Sequence, residues 1–198
     1  AGRVRVDSLV AYFTSYRHEY AGHLTGAPMA DYGLRQHLSI RALDLGARTC
    51  LSPREHRMLR QSDAVIVHYR STRELLLGEI PQLEGRIKTI PYYVEHFQRE
   101  STVNYRPASR ELPHVVVLCR QDPRKGINTF LKSVRLLRDR GVRFACTVAG
   151  SGVFLEPNRA LARRLGLGDL VRFPGFVPST EAVLAEADIY VLPSVEEG

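Results

Sequence analysis

"VVVLCRQDPRKGINTF", residues 115–130, decides the fold. A run of Val and Leu ends on Arg120, crosses a turn holding Pro123, and delivers Lys125-Gly126 to an amphipathic segment. Residues 114–119 are apolar at nearly every position and short, the pattern of a strand covered on both faces in a parallel sheet. Behind them Ile127, Phe130, Leu131, Val134 and Leu137 recur at helical spacing, which predicts one buried helix face ending near Gly141.

The same alternation continues to the end of the chain. Residues 143–150, 170–173 and 188–194 read as strands, and 158–166 and 179–187 as helices, the last starting at Ser179. Strand and helix alternating at this pitch imply right-handed βαβ units and a parallel sheet. The first half is less regular. Strands are expected over 7–15, 63–68 and 86–91, with helices around Leu34, Leu38 and Leu45, over 53–61 and over 71–77. Residues 16–30, with Gly22, Gly26 and Pro28, read as a loop. Apolar content falls after residue 97, so 98–112 is expected to link two α/β domains of Rossmann-like type, 1–97 and 113–198, both incomplete.

Bulk composition narrows the class. At 198 residues, 44% hydrophobic and 25% charged, the chain is built like a soluble globular protein. No run approaches the roughly 18 apolar residues of a membrane span, and no signal peptide opens the sequence. Cys50, Cys119 and Cys146 are few and far apart, as expected of reduced thiols in a cytoplasmic protein. The chain opens at Ala1 without Met and stops inside a motif, which leads us to expect a fragment. The net charge of +7 is spread along the sequence, without basic runs or interleaved aromatics. That favours a solvated basic surface, with some attraction to an anionic membrane or a phosphate-bearing substrate, over specific nucleic-acid binding.

Ligands of parallel sheets bind at the carboxyl ends of the strands, and polar residues gather there. Arg120, Gln121, Arg124 and Lys125 follow the first strand of the second half, and Gly150-Ser151-Gly152 the second. Gly175 follows the third, and Ser194, Glu196, Glu197 and Gly198 follow the fourth. Arg120 at a strand end and Lys125 at a helix start would aim two cations and free helix N–H groups at one place, which suits a diphosphate. Each charge-assisted bond there is worth about 1.5–3 kcal/mol. The same spacing also suits surface charges flanking a turn.

Other motifs are weaker. Gly150-x-Gly152 could open a dinucleotide fingerprint, but Leu155 stands where the third Gly belongs, and Phe173-Pro174 where the acidic residue is needed. "HEYAGH" (18–23) spaces His18 and His23 five apart, which does not make a zinc helix, and no metal site is expected. G-x-S-x-G, the P-loop and Asp-x-Asp are all absent from the sequence.

Together these residues resemble the group 1 glycosyltransferases (family 4, GT-B fold). "VVVLCRQDPRKGINTFLKSVRLL", "TVAGSGVFLEPNRALARRLGLGDLVRFPGFVP" and "EADIYVLPSVEEG" are similar to three successive blocks of that family, and "SDAVIVHYRSTRELL" and "RIKTIPYYVEHF" to two earlier segments. The resemblance implies a retaining, metal-independent transferase with no cofactor. It would move a sugar from a nucleotide-diphosphate donor to a glycan or lipid-linked acceptor, in cell-surface polysaccharide or glycolipid synthesis. It also implies that Arg120 and Lys125 grip the pyrophosphate and that Glu197 binds the donor sugar's hydroxyls. Gly150, Gly152, Phe173, Gly175, Phe176, Val177 and Ser194 would line the donor, the stretch 173–177 flanking the nucleobase. His18 is the acceptor-side candidate. Cys119 replaces the family's Gly before Arg120, and Tyr92-Tyr93 replaces Asn-Gly. Because the second Glu of the family's E-x7-E motif would follow Gly198, this chain alone is expected to turn over little. Two alternatives remain: a non-catalytic GT-B-like nucleotide or polyanion binder, and an NAD-dependent oxidoreductase.

Overall fold

A computed structural model of the chain describes residues 7–12, 16–92 and 112–195. They form two compact units, Ala1–Ala21 with Arg41–Arg99, and Gly22–Ile40 with Glu100–Glu197. The division differs from contiguous domains at residues 22–40, which pack with the second unit. Of the expected linker, residues 98–111 lie outside the described residues.

In the first unit, β1 (Leu9–Tyr12), β2 (Ala64–Val67) and β3 (Ile87–Thr89) form a parallel sheet in that order. Leu9 lies opposite Ala64, and Val65 opposite Ile87. Asp63 fixes the first register. Its carboxylate accepts from the backbone N–H groups of Ser8 (2.9 Å) and Asp7 (3.1 Å) and from the Ser8 hydroxyl (3.0 Å). The core joins Tyr12, Leu59, Val65, Val67, Leu76, Ile80, Leu83 and Ile87.

Between β1 and β2 the chain passes through α1 (Tyr16–Gly26), α2 (Met29–Tyr32), α3 (Leu34–Gly46), a π-helical turn and α4 (Ser52–Gln61). The expected loop over 16–30 is therefore mostly helix, and His18 lies within α1. Weak glycine propensity is overridden by packing: Gly22 is buried, and Gly26 lies against the Pro123 carbonyl, where a Cβ would collide. His18 and His23 both fall within this helix. Helix α3 forms where expected, but Leu34, Leu38 and Leu45 are exposed and Ile40 is buried. Apolar residues surround this helix, so its pattern selects no face. After β2, α5 (Arg70–Glu79) makes the crossover to β3.

The second unit holds β4 (His114–Leu118), α6 (Ile127–Asp139), β5 (Ala145–Ala149), α7 (Leu155–Arg164), β6 (Val171–Gly175), α8 (Thr180–Ala185) and β7 (Ile189–Tyr190). All strands are parallel in the order β6-β5-β4-β7. β4 and β5 are central. Val116, Val117, Cys146, Val148 and Ala149 are buried, as their apolar character requires, and Thr147 is buried among them with its hydroxyl hydrogen-bonded to His114 Nε2 (2.8 Å). Pro174 is accommodated because β6 lies at an edge of this sheet, where a missing N–H breaks no outer pairing. Ser179 caps α8, its hydroxyl accepting from the Ala182 N–H (3.1 Å). The core packs α6 and α7 on the sheet through Phe130, Leu131, Val134, Leu161, Val148 and Val171.

Two measurements test this packing. Leu131 is fully buried, so Leu131→Ala should cost about 2–5 kcal/mol, read as a lower denaturation midpoint. Burial pushes the Cys146 thiol up to about 12, so at pH 8 thiol reagents should label exposed Cys50 well before Cys146, unless the unit unfolds.

Candidate functional site

The strand order locates a site. From β4 the chain moves outward to β5 and β6, then returns through α8 to place β7 on the other side of β4. The topological switch point therefore lies between β4 and β7, where parallel sheets open a crevice at their carboxyl ends. The turn after β4 and the segment after β7 flank that crevice.

The turn is tightly specified. Asp122 begins a 3-10 turn over Pro123–Lys125, its carboxylate accepting from the Arg124 N–H (2.9 Å). Gly126 then takes a left-handed conformation (φ 62°) that reverses the chain into α6, a conformation other residues adopt at a cost. This explains why Lys125-Gly126 stands at the helix start. Two further segments, 150–154 and 193–195, close on the turn. Gln121 N–H donates to the Ser151 carbonyl (2.8 Å), Phe154 N–H to the Gln121 carbonyl (3.0 Å), and Val195 N–H to the Arg124 carbonyl (2.7 Å). A Cβ on Gly150 would strike the Cys119 carbonyl, one on Gly152 the Gln121 carbonyl, and one on Gly126 the Pro193 carbonyl. The close approach read from Gly150-x-Gly152 is thus made to the turn's own backbone.

Charge gathers around Asp122, whose side chain is 2% exposed. Arg120 Nε lies 3.6 Å from its carboxylate, Arg124 Nη2 3.5 Å and His23 Nε2 3.9 Å. Arg120 is 69% exposed, whereas Arg124 is 16% exposed and Lys125 half-buried. Within residues 120–125 themselves, the three cationic side chains Arg120, Arg124 and Lys125 accompany the one carboxylate of Asp122. Buried Gln121 accepts through Oε1 from Asn158 Nδ2 (2.8 Å).

The other expected residues fall as follows. Gly175 ends β6, and its carbonyl accepts from the Gly150 N–H (2.7 Å), which ties β6 to the strand end of β5. Phe173 and Val177 are half-buried, and Phe176 is 76% exposed at the same strand end. Ser194 Oγ is buried and has no hydrogen-bond partner among the described residues. Glu197 lies outside the described residues, as does the side chain of His18. The structure therefore packs Gly150 and Gly152 against the turn that carries Arg120 and Lys125, brings the segment holding Ser194 to its other side, and leaves Phe173–Val177 at the end of β6, two strands from β4.

Sequence reasoning missed Asp122, whose signal was available: Asp before Pro commonly initiates a turn. It also missed Asp31, Tyr32, Asn128 and Asn158. Asp31 accepts from Asn128 Nδ2 (2.9 Å) and pairs with Lys132 (2.7 Å), and Tyr32 Oη donates to Asn158 Oδ1 (2.6 Å). No local pattern announces partners about a hundred residues apart.

Comparison with known proteins agrees with this architecture. Solved structures share the fold at low identity. WaaG, a glycosyltransferase involved in lipopolysaccharide biosynthesis, matches with a TM-score of 0.60 and 16% identity, over 94% of this chain and 50% of that one. Anabaena Alr3699/HepE, crystallised with UDP and glucose, matches with a TM-score of 0.54 and 18% identity, over 82% and 51%. The fold class is that of the GT-B glycosyltransferases. Residues 112–198 match the family model of "Glycosyl transferases group 1". A GDP-mannose-dependent alpha-(1-6)-phosphatidylinositol monomannoside mannosyltransferase of Mycobacterium tuberculosis (strain ATCC 25618 / H37Rv) is 38% identical over 90 residues, 44% of this chain and 23% of that protein. The chain spans 20% to 23% of the length of the curated relatives it matches.

The glycine approach is testable. Gly126→Ala both strains the left-handed residue and drives a methyl into the Pro193 carbonyl. It should displace the 193–195 segment and shift the amide resonance of Val195. An unchanged Val195 resonance would show that the contact is slack.

Proposed function

We propose that this chain carries the donor half of a retaining glycosyltransferase site, moving a sugar from a nucleotide-diphosphate donor to a glycan or lipid-linked acceptor. The observation that carries the reading is the cationic turn, Arg120 to Lys125, at the switch point of a parallel sheet in a group 1 glycosyltransferase segment. A pyrophosphate there would meet Arg120 and Lys125, and the N-terminal N–H groups of α6 lie just behind Gly126. In the transfer, the bond from the sugar's anomeric carbon to the diphosphate oxygen breaks and one to the acceptor oxygen forms. The hydroxyl proton passes to the departing diphosphate. Charge grows on that leaving group, and the cations stabilise it where other folds would use a metal. Retention of configuration and the sugar-binding role of Glu197 are carried over from the family resemblance.

The remaining assignments are part of the same proposal. Ser194 offers a buried hydroxyl without a partner among the described residues, and such groups call for a ligand or water. Exposed Phe176 offers a ring face at the β6 end for a nucleobase. A lipid-linked acceptor would be met at an anionic membrane surface, aided by the net charge of +7. His18 stays the acceptor-side candidate.

Titration with UDP, GDP, ADP and NAD, followed by amide shifts, tests the reading. One nucleoside diphosphate should bind at millimolar concentration or tighter. Arg120→Ala and Lys125→Ala should each weaken it tenfold or more, the loss of about 1.5–3 kcal/mol per charge-assisted bond. Preference for NAD, or unchanged affinity in both variants, would overturn it.

A further inference from the structure

We infer that residues 22–40 position the turn that carries Arg120, Arg124 and Lys125, and that Tyr32 and Gly26 are its positioning residues. The functional weight of this inference rests on reading the turn as a diphosphate site; its geometry does not.

Three consecutive turn residues are each met by this segment. Gln121 is reached through a relay: Tyr32 Oη donates to Asn158 Oδ1 (2.6 Å), and Asn158 Nδ2 donates to Gln121 Oε1 (2.8 Å). Asp122 faces His23 Nε2 at 3.9 Å. Pro123 presents its carbonyl to Gly26, whose missing side chain leaves just enough room. The cations stand on either side of these three residues, so fixing residues 121–123 fixes where Arg120, Arg124 and Lys125 begin.

The segment is itself held away from the turn. Asp31 bonds Asn128 and Lys132 on α6, and Arg164 of α7 donates to the Asp31 carbonyl. The Tyr32 ring packs edge-on against Phe154, centroids 5.0 Å apart at 77°. Ala27, Ile40 and Phe154 form a buried cluster beneath it. Each amide in the relay has its orientation set by the group before it, with the Tyr32 hydroxyl as first donor. Burial raises the pKa of that hydroxyl, which keeps it a donor at neutral pH.

Two variants separate positioning from support. Tyr32→Phe keeps the ring packing and deletes the donor. Gly26→Ala favours helix on propensity alone and adds one methyl against Pro123. Both are expected to keep helical circular dichroism, to shift the amide resonances of residues 120–126, and to weaken inorganic pyrophosphate binding at least fivefold. Unshifted 120–126 resonances in folded Tyr32→Phe would overturn the inference, and this variant alone decides if Gly26→Ala does not fold. Shifted resonances with unchanged pyrophosphate affinity would overturn the link to the cations. If the unsubstituted chain binds no pyrophosphate, the diphosphate reading fails, and the resonances still decide whether residues 22–40 set the turn.

Discussion

The second unit depends on how closely three lengths of backbone approach one turn. Residues 119–126 are met by Gly26, by Gly150 and Gly152, and by the segment at Pro193, and each meeting leaves no room for a Cβ on the glycine concerned. Backbone hydrogen bonds at 2.7–3.0 Å complete the closure from Ser151, Phe154 and Val195. Interiors are packed to crystal-like density, so such contacts define positions to within a few tenths of an ångström. Side chains rooted in the turn inherit that definition. A flexible Lys or Arg gains most as an anion ligand when its Cα is already fixed, because less freedom is left to lose on binding.

Polar groups buried around the turn extend the same constraint. Asp122 gathers Arg120, Arg124 and His23, and Asp31 gathers Asn128 and Lys132. Unpaired, these buried carboxylates would be costly; paired, they admit few alternative arrangements. Networks of this kind contribute less to net stability than to uniqueness, since apolar residues of equal volume could hold the same space. Their place beside the crevice, and not at the centre of the sheet, fits a demand for geometry.

The parallel sheets and the helix after β4 were legible because each rests on local pattern. Val115 to Leu118 could only be a strand buried on both faces, and Ile127 to Leu137 only an amphipathic helix. Arg120 and Lys125 were legible from their places at a strand end and a helix start. What stayed hidden depends on distance. Gly22 and Gly26 argue against helix locally, and only contact with Pro123 reverses that reading. The leucines of α3 ring the helix and give no face. Tyr32 and Asn158, 126 residues apart, share no pattern that a single sequence can display.

The sheet order also says something about when the site comes into being. β4, α6 and β5 are neighbours in the chain and can close early, since short loops cost little entropy. β7 reaches β4 only across a long gap: the Asp188 carboxylate caps the His114 N–H from 74 residues away. Residues 22–40 must return over a longer span still, as the 97 residues between Asp31 and Asn128 show. Loop-closure entropy favours the most distant pieces reaching the turn last. Until β7 and residues 22–40 dock, the turn's cations lack their final bearings. Completion of folding and the final placing of the turn would then be one event, and a chain caught short of it would keep its central strands and lack the fixed turn.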